Sequence, residues 1–233
     1  MKRVLSSILV ASGVLLGSTL ASASYAADAA AAKPDAKKGE QLFANGDAAR
    51  GILACASCHG AAGNSTIPAN PNLAAQPHEY LAKQLHDFRS ADGTAVPARR
   101  GAGGANTVMT AFAAALTPED IQNVALYLSH QKLDSEKAAT ASNEATMLRG
   151  QKIWRGGIAE RNVPACAACH SANGAGLPGE FPRLSGQFPA YIAEQLKLFR
   201  SGERANNAMM HDIADRMSDS DIAAVADYAA GLR

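Results

Sequence analysis

The sequence is short of aromatic residues, of cysteines and of blocks of like charge. Aromatic residues make up 5% of its 233 residues, and there are four cysteines. No stretch alternates apolar and polar residues for long, so we predict no β-sheet. With 22 basic and 21 acidic residues, the chain lacks the basic block typical of nucleic-acid-binding proteins. A hydrophobic fraction of 47% indicates a globular protein.

One stretch approaches the length of a membrane span, and it lies at the N-terminus. Two basic residues precede an apolar run from Val4 to Leu20, and Ser24-Tyr25-Ala26 has the small-x-small pattern of a cleavage site. This predicts a secretory signal peptide over residues 1–26, with Ala23 as the competing cleavage site. An uncleaved anchor is the alternative, but 17 residues interrupted by serine and glycine are short for a span. We therefore expect an exported, soluble protein.

All four cysteines fall in two copies of the pattern C-x-x-C-H. The copies are Cys55-Ala56-Ser57-Cys58-His59 and Cys166-Ala167-Ala168-Cys169-His170. This pattern attaches a c-type haem, because the two thiols add to its vinyl groups and the histidine becomes an axial ligand of the iron. A redox dithiol, half a zinc site or a pair of disulfides are the alternatives. The duplication, the histidine after each pair and the export signal favour two covalently bound haem c groups.

The two C-x-x-C-H sites belong to an internal repeat. The offset between the copies is 111 residues up to Phe88-Arg89-Ser90 and becomes 101 after a Gly/Ala/Arg-rich loop of about residues 92–106 in the first copy. A repeat of this length is too long for a solenoid unit and predicts two tandem domains. We place the domains at residues 35–131 and 146–233, with a leader over 27–34 and a linker over 132–145.

Each copy has the periodicity of helices. Helix-spaced apolar residues run from Glu79 to Arg89 and from Ala190 to Arg200. Thr117 and Ser218, each followed by acidic residues, are predicted N-caps. The predicted fold class is therefore all-α, with two class I cytochrome c-like domains that each enclose one haem.

The repeat register predicts a sixth ligand for each iron. Met109 and Met210 each lie seven residues before an aligned apolar position. A thioether is soft and stabilises Fe(II). We predict the axial pairs His59/Met109 and His170/Met210, and Met209 remains the alternative in the second copy. The other histidines do not recur and are expected at the surface or partly buried: His78, His86, His130 and His211.

Other recurring residues have predicted supporting roles. Pro71 and Pro182 each follow the haem histidine by 12 residues, and a carbonyl there can accept the hydrogen bond from Nδ1; a plain loop proline is the alternative. Two recurring glycines are expected where the first helix of each copy crosses the last: Gly39 and Gly150. Two recurring arginines are candidates for a haem carboxylate or for a solvated helix end: Arg89 and Arg200.

Together these motifs resemble the dihaem cytochrome c4 family. The resemblance rests on the tandem C-x-x-C-H sites, the P-x-L after each, the Y-x-x-x-Q-L-x-x-F-R-S helix and the terminal methionine segments. It covers essentially the whole mature chain and implies two class I cytochrome c folds with His/Met haems packed against each other. It also implies electron transfer toward respiratory terminal oxidases. The long Arg/Gly loop of the first copy departs from the family and leaves partner docking there open.

We therefore expect a periplasmic electron carrier rather than an enzyme. Its expected partners are a membrane donor complex and a terminal oxidase, with no nucleic acid, and we expect a monomer, either free or loosely membrane-associated. The alternatives are a cytochrome subunit of a sulfur-compound dehydrogenase, a peroxidase-like dihaem enzyme and a haem-based gas sensor. The methionine present in each copy closes both irons and argues against the first two, whereas a gas sensor would bind carbon monoxide without displacing methionine.

Overall fold

A computed structural model describes residues 33–90, 95–179 and 181–233 of the chain. The predicted signal peptide over residues 1–26 and nearly all of the leader lie outside these residues. Residues 33–233 form one compact unit. Over the described ranges the secondary structure is helical, and β-pairing is limited to isolated bridges, as the all-α prediction requires. No helix in these ranges has the length and apolar character needed to cross a membrane.

The described helices form two matching sets of five. The first half contains α1 (Ala36–Asn45), α2 (Ala56–His59), α3 (His78–Asp87), α4 (Val108–Ala114) and α5 (Pro118–Ser129). The second half contains α6 (Glu144–Gly156), α7 (Ala167–His170), α8 (Pro189–Ser201), α9 (Ala208–Asp215) and α10 (Asp219–Gly231). In each half the first and last helices pack together, and the third packs on the last. Each half therefore has its own apolar core.

Both predicted N-caps start a terminal helix. The Asp120 backbone N–H donates to Thr117 Oγ1 at 3.1 Å, and the Thr117 N–H donates back to the Asp120 carboxylate at 2.9 Å. Ser218 and Asp221 form the same reciprocal pair at 3.2 and 3.0 Å. Each box satisfies N–H groups that a helix start leaves without a partner. The boxes fix where α5 and α10 begin.

The two recurring glycines lie where the first and last helices of each half cross. A Cβ at Gly39 would lie 2.0 Å from the Asn123 carbonyl oxygen, and one at Gly150 would lie 2.3 Å from that of Ala224. Each glycine also faces an aromatic residue, since the same Cβ atoms would lie 3.0 Å and 2.6 Å from the Cβ atoms of Tyr127 and Tyr228. The predicted helix crossings are confirmed.

Replacing Gly150 by alanine is expected to lower the free energy of unfolding by about 3 kcal/mol or more, because α6 must move away from the α10 backbone. Gly156 is the matched control, since it ends the same helix and a Cβ there meets nothing within 4 Å. Gly156→Ala should change stability by less than about 1 kcal/mol. Denaturant unfolding followed by circular dichroism measures both. Equal effects would contradict the close helix contact.

Candidate haem sites

Each C-x-x-C-H pattern forms a single helical turn. In α2 the His59 backbone N–H donates to the Cys55 carbonyl at 2.9 Å, and in α7 the His170 N–H donates to the Cys166 carbonyl at the same distance. Residues four apart lie on one face of a helix. The first cysteine and the histidine of each pattern therefore face the same way.

Each turn opens into a mainly apolar cavity of its own half. The first cavity has a volume of about 550 Å³ and is lined by all four residues predicted for it: Cys55, Cys58, His59 and Met109. The second is lined by Cys166, Cys169, His170 and Met210, and also by Met209. Met209 is 57% exposed, whereas Met210 is partly buried. The structure thus brings each predicted set together, and the choice between Met210 and Met209 remains a prediction.

The buried histidines are held in one tautomer. His59 Nδ1 lies 3.0 Å from the Pro71 carbonyl oxygen, and His170 Nδ1 lies 3.0 Å from that of Pro182. A carbonyl only accepts, so Nδ1 carries the hydrogen and Nε2 keeps a free lone pair. Burial lowers the pKa of both imidazoles, although the proline carbonyls act in the opposite sense. A neutral imidazole with a free Nε2 is the form that binds a metal ion.

The thiols do not have the character of a redox dithiol. All four are unpaired. Burial raises the pKa of the Cys166 thiol to about 11 and raises that of Cys55 above its ordinary value. Reactive dithiols have a lowered pKa, because the thiolate is the nucleophile. In the described part of the chain, no three His, Cys, Asp or Glu side chains converge as they would around a metal ion.

Two buried arginines, which the sequence did not single out, lie between the cavities. Arg99 lines the first cavity and Arg204 the second, with 7% and 5% of their surface exposed. Arg99 donates to Gln84 at 3.0 Å and to the Tyr191 hydroxyl at 2.6 Å, and Arg204 donates to the Gln84 and Gln195 side chains. Neither is ion-paired with a described carboxylate. A buried charge is costly unless it is paired, and a haem supplies two carboxylates.

The loop of the first half carries a further cation. Arg100 lines the first cavity, and its buried Nε has no hydrogen-bond partner among the described residues. By contrast, Arg200 donates to the Asp219 carboxylate at 2.6 Å and to the Met217 carbonyl at 3.1 Å. Of the two earlier interpretations of Arg200, the structure supports the helix end. The sequence signal for Arg99 and Arg204 is an arginine shortly before the methionine of each half.

The described part of the Arg/Gly loop lies against the second half. The Arg100 N–H donates to the Glu203 carbonyl at 2.9 Å, and the Ala205 N–H donates to the Ala98 carbonyl at 2.8 Å. Four polar side chains of α3 and α8 line both cavities: Tyr80, Gln84, Tyr191 and Gln195. The two cavities therefore adjoin each other across the contact between the halves.

The donor set of each cavity fits a covalently attached haem. In each cavity two cysteines, a neutral histidine and a methionine line a mainly apolar space, and the volume of the first, about 550 Å³, is within the usual range for cofactor sites. Buried guanidinium groups that have no carboxylate partner among the described residues face the same space. The sequence model of the cytochrome c family matches residues 36–132 and 148–232.

Similar proteins match most of the chain. Cytochrome c4 of Azotobacter vinelandii is 39% identical over 196 residues, which cover 81% of this chain and 90% of that protein. The thiosulfate dehydrogenase electron acceptor of Stutzerimonas stutzeri is 37% identical over 84% of this chain and 87% of its own length. The crystal structure of reduced cytochrome c4 from Pseudomonas stutzeri superposes with a TM-score of 0.72 at 35% identity, covering 86% of this chain and 100% of that one. The chain belongs to the cytochrome c family and, within it, to the dihaem cytochromes c4, which carry two covalently bound haem c groups.

Proposed function

We propose that the protein carries electrons in the periplasm through two six-coordinate haems. The proposed attachment residues are Cys55, Cys58, Cys166 and Cys169, and the proposed axial ligands are His59, Met109, His170 and Met210. Bound haem supplies one-electron exchange between Fe(III) and Fe(II). The observation that carries the proposal is that a neutral histidine with a free Nε2 and a methionine line each of two adjoining cavities.

The side chains around each cavity support carriage rather than catalysis. The apolar walls exclude water, and a methionine beside each iron leaves no position for substrate. Arg99 and Arg204 lie at the contact between the halves and would offset the charge of the haem carboxylates. We infer that the protein is not itself an enzyme, and that the adjoining cavities let one electron pass from one half to the other.

A sulfur-compound dehydrogenase is the second candidate for the context in which the carrier works. The relative from Stutzerimonas stutzeri is named as the electron acceptor of thiosulfate dehydrogenase. We propose such a dehydrogenase as an alternative to a respiratory donor complex, and a terminal oxidase as the acceptor. The chemistry inside this chain is the same in both cases, since the donor determines only where the electron comes from.

The mouth of the first cavity is a candidate docking surface. Val108 and Leu53 line that cavity although 69% and 64% of their surface is exposed. Electron-transfer partners form small, short-lived contacts. An exposed apolar rim beside a haem suits such a contact, because it brings a partner close without a large buried area.

Electron exchange of the haem-containing protein tests this function. Reduced protein mixed with a terminal oxidase should be reoxidised in a second-order reaction, and Val108→Asp should slow it about tenfold by burying a charge at the contact. Val96→Asp is the matched control, because Val96 is also 69% exposed in the same half but does not line the cavity. In a parallel experiment, thiosulfate and its dehydrogenase serve as the electron donor, and reduction of the oxidised protein is followed.

Three outcomes would count against the proposal. Equal slowing by Val108→Asp and Val96→Asp would show that partners do not dock at the mouth of the first cavity. Rapid peroxide turnover by half-reduced protein would favour the peroxidase-like alternative over the carrier. Binding of carbon monoxide without displacement of methionine would favour a gas sensor.

A further inference from the structure

Gln187 of the second half reaches a backbone segment of the first. The Asn72 backbone N–H donates to Gln187 Oε1 at 2.9 Å, and Gln187 Nε2 donates to the Asn72 carbonyl at 2.9 Å. The Asn72 side chain also donates to the Gly186 carbonyl at 3.0 Å. Both side chains are buried. One glutamine amide therefore pairs with both backbone groups of a single residue in the opposite half.

The peptide group that Gln187 contacts also holds the haem histidine. The Asn72 N–H and the Pro71 carbonyl belong to one peptide unit, and that carbonyl accepts the hydrogen bond from His59 Nδ1 at 3.0 Å. A continuous chain of hydrogen bonds thus runs from the His59 ring through one peptide to a side chain of the other half. Hydrogen bonds in such a chain polarise and strengthen one another.

The second half contains the same arrangement with the halves exchanged. The Arg183 N–H donates to Gln76 Oε1 at 3.0 Å, and Gln76 Nε2 donates to the Arg183 carbonyl at 2.9 Å. Arg183 follows Pro182, whose carbonyl accepts from His170 Nδ1 at 3.0 Å. Gln76 and Gln187 are equivalent under the offset of 111 residues. The crossing is therefore reciprocal: the glutamine of each half supports the histidine of the other.

We propose that Gln76 and Gln187 are positioning residues that tune the haem of the opposite half. The proposal rests on the proposed function, since it takes His170 and His59 as axial ligands. A glutamine oxygen that accepts from the peptide N–H makes the peptide carbonyl a better acceptor for the histidine. The imidazole then becomes a stronger donor and stabilises Fe(III). Each half thereby lowers the reduction potential of the haem it does not contain.

Gln76 gives the sharpest test. Its location predicts an effect on the first haem, whereas its hydrogen bonds predict an effect on the second. Gln76 lines the first cavity and not the second. If it acted by its polarity alone, Gln76→Met would change the first haem. Acting through Arg183 and Pro182, it should change the second. The expected result is that the potential of the second haem rises by roughly 30 mV. For a one-electron couple this corresponds to an increase of about threefold in the ratio of reduced to oxidised haem.

Gln187→Met is the reciprocal variant, and Glu203→Ala is the control. Gln187→Met should raise the potential of the first haem by a similar factor. Glu203 accepts from the Gly103 N–H at 2.9 Å across the same contact between the halves but touches neither proline segment. Glu203→Ala should therefore leave both potentials unchanged. If Gln76→Met or Gln187→Met fails to fold, Gln76→Glu is the substitute. It keeps the acceptor for the Arg183 N–H and should lower the potential of the second haem.

Redox titration and proton NMR of the haem-containing protein read out these effects. Comparison with Met109→Ala and Met210→Ala assigns each titration step to one half, and the Nδ1–H resonance of each histidine reports its hydrogen bond directly. A shift of the first haem in Gln76→Met, or equal shifts of both, would overturn the crossed tuning. If Met109→Ala and Met210→Ala change neither haem, the proposed axial ligands are wrong instead. The two failures are therefore distinguishable.

Discussion

Met109→Ala is expected to lower the reduction potential of one haem by roughly 0.2 V, a fraction of the ~0.8 V over which axial ligands set haem potentials. The thioether stabilises Fe(II), and alanine leaves water or an empty position in its place. Met109 lines the first cavity together with His59. In the oxidised protein, the thioether-to-iron charge-transfer band should lose about half its intensity. Redox titration followed by absorption spectroscopy measures both changes.

The second half provides its own control, because two methionines line its cavity. Met210→Ala should affect the second haem as Met109→Ala affects the first. Met209→Ala should leave the band and both potentials unchanged, because Met209 is outside the register that Met210 shares with Met109. If Met209→Ala removes the band and Met210→Ala does not, the ligand in this half is Met209. If neither variant of the second half has an effect, methionine ligation there is wrong.

Features set by neighbouring residues could be predicted from the sequence. The C-x-x-C-H turns and the capping boxes at Thr117 and Ser218 depend on contacts between residues at most four apart. The proline carbonyls at Pro71 and Pro182 lie further away, but they recur at the same distance from each histidine. Repetition supplied the information that a single copy lacks, because chance patterns seldom recur in register.

The two methionines of the second half show the limit of that reasoning. Met209 and Met210 are adjacent on α9, and the side chains of both reach the cavity. A long, flexible thioether lets either one approach the iron. Register alone therefore favours Met210, and only the geometry around the iron decides.

Contacts between the halves could not be predicted. Gln76 and Arg183 are separated by 107 residues. The backbones of Arg99 and Arg204 form an isolated β-bridge between the halves, and no local sequence pattern predicts it. From the sequence, the extra residues around Arg99 are a departure from the family that leaves partner docking at this loop open. In the structure, residues 98–103 instead pack on the second half. Partial charges and shapes on two separate domains determine such contacts, and one sequence does not encode their relative position in any local pattern.

Asp221 offers a second large effect, on stability rather than on potential. Its side chain is fully buried, where it accepts hydrogen bonds from the Ser218 hydroxyl at 2.6 Å and from the guanidinium groups of Arg161 and Arg149. Burial acts to raise the pKa of this carboxyl, but Ser218 and the two arginines outweigh burial and hold the pKa well below its usual range. Asp221→Ala should cost about 3 kcal/mol of unfolding free energy, because it removes the carboxylate half of the capping box and the partner of two cations.

The dependence of this effect on pH identifies its electrostatic part. A carboxylate whose pKa is lowered by folding stabilises the protein fully above the pKa of the unfolded chain, about 3.9. That stabilisation is lost as the pH falls toward the folded pKa. The difference in unfolding free energy between the parent and Asp221→Ala should therefore be constant near neutral pH and shrink below about pH 4. Denaturant unfolding at a series of pH values measures it.

Asp120 is the matched comparison for the buried carboxylate. It occupies the same position in the first capping box, but it pairs with one arginine, Arg50, at 2.6 Å, and its side chain is partly exposed. Asp120→Ala should cost less stability than Asp221→Ala and show a smaller pH dependence. Equal losses would mean that the capping box, common to both halves, accounts for the whole effect. A larger loss for Asp221→Ala assigns the difference to its burial and to its two arginine partners, Arg149 and Arg161, because Asp120 has one.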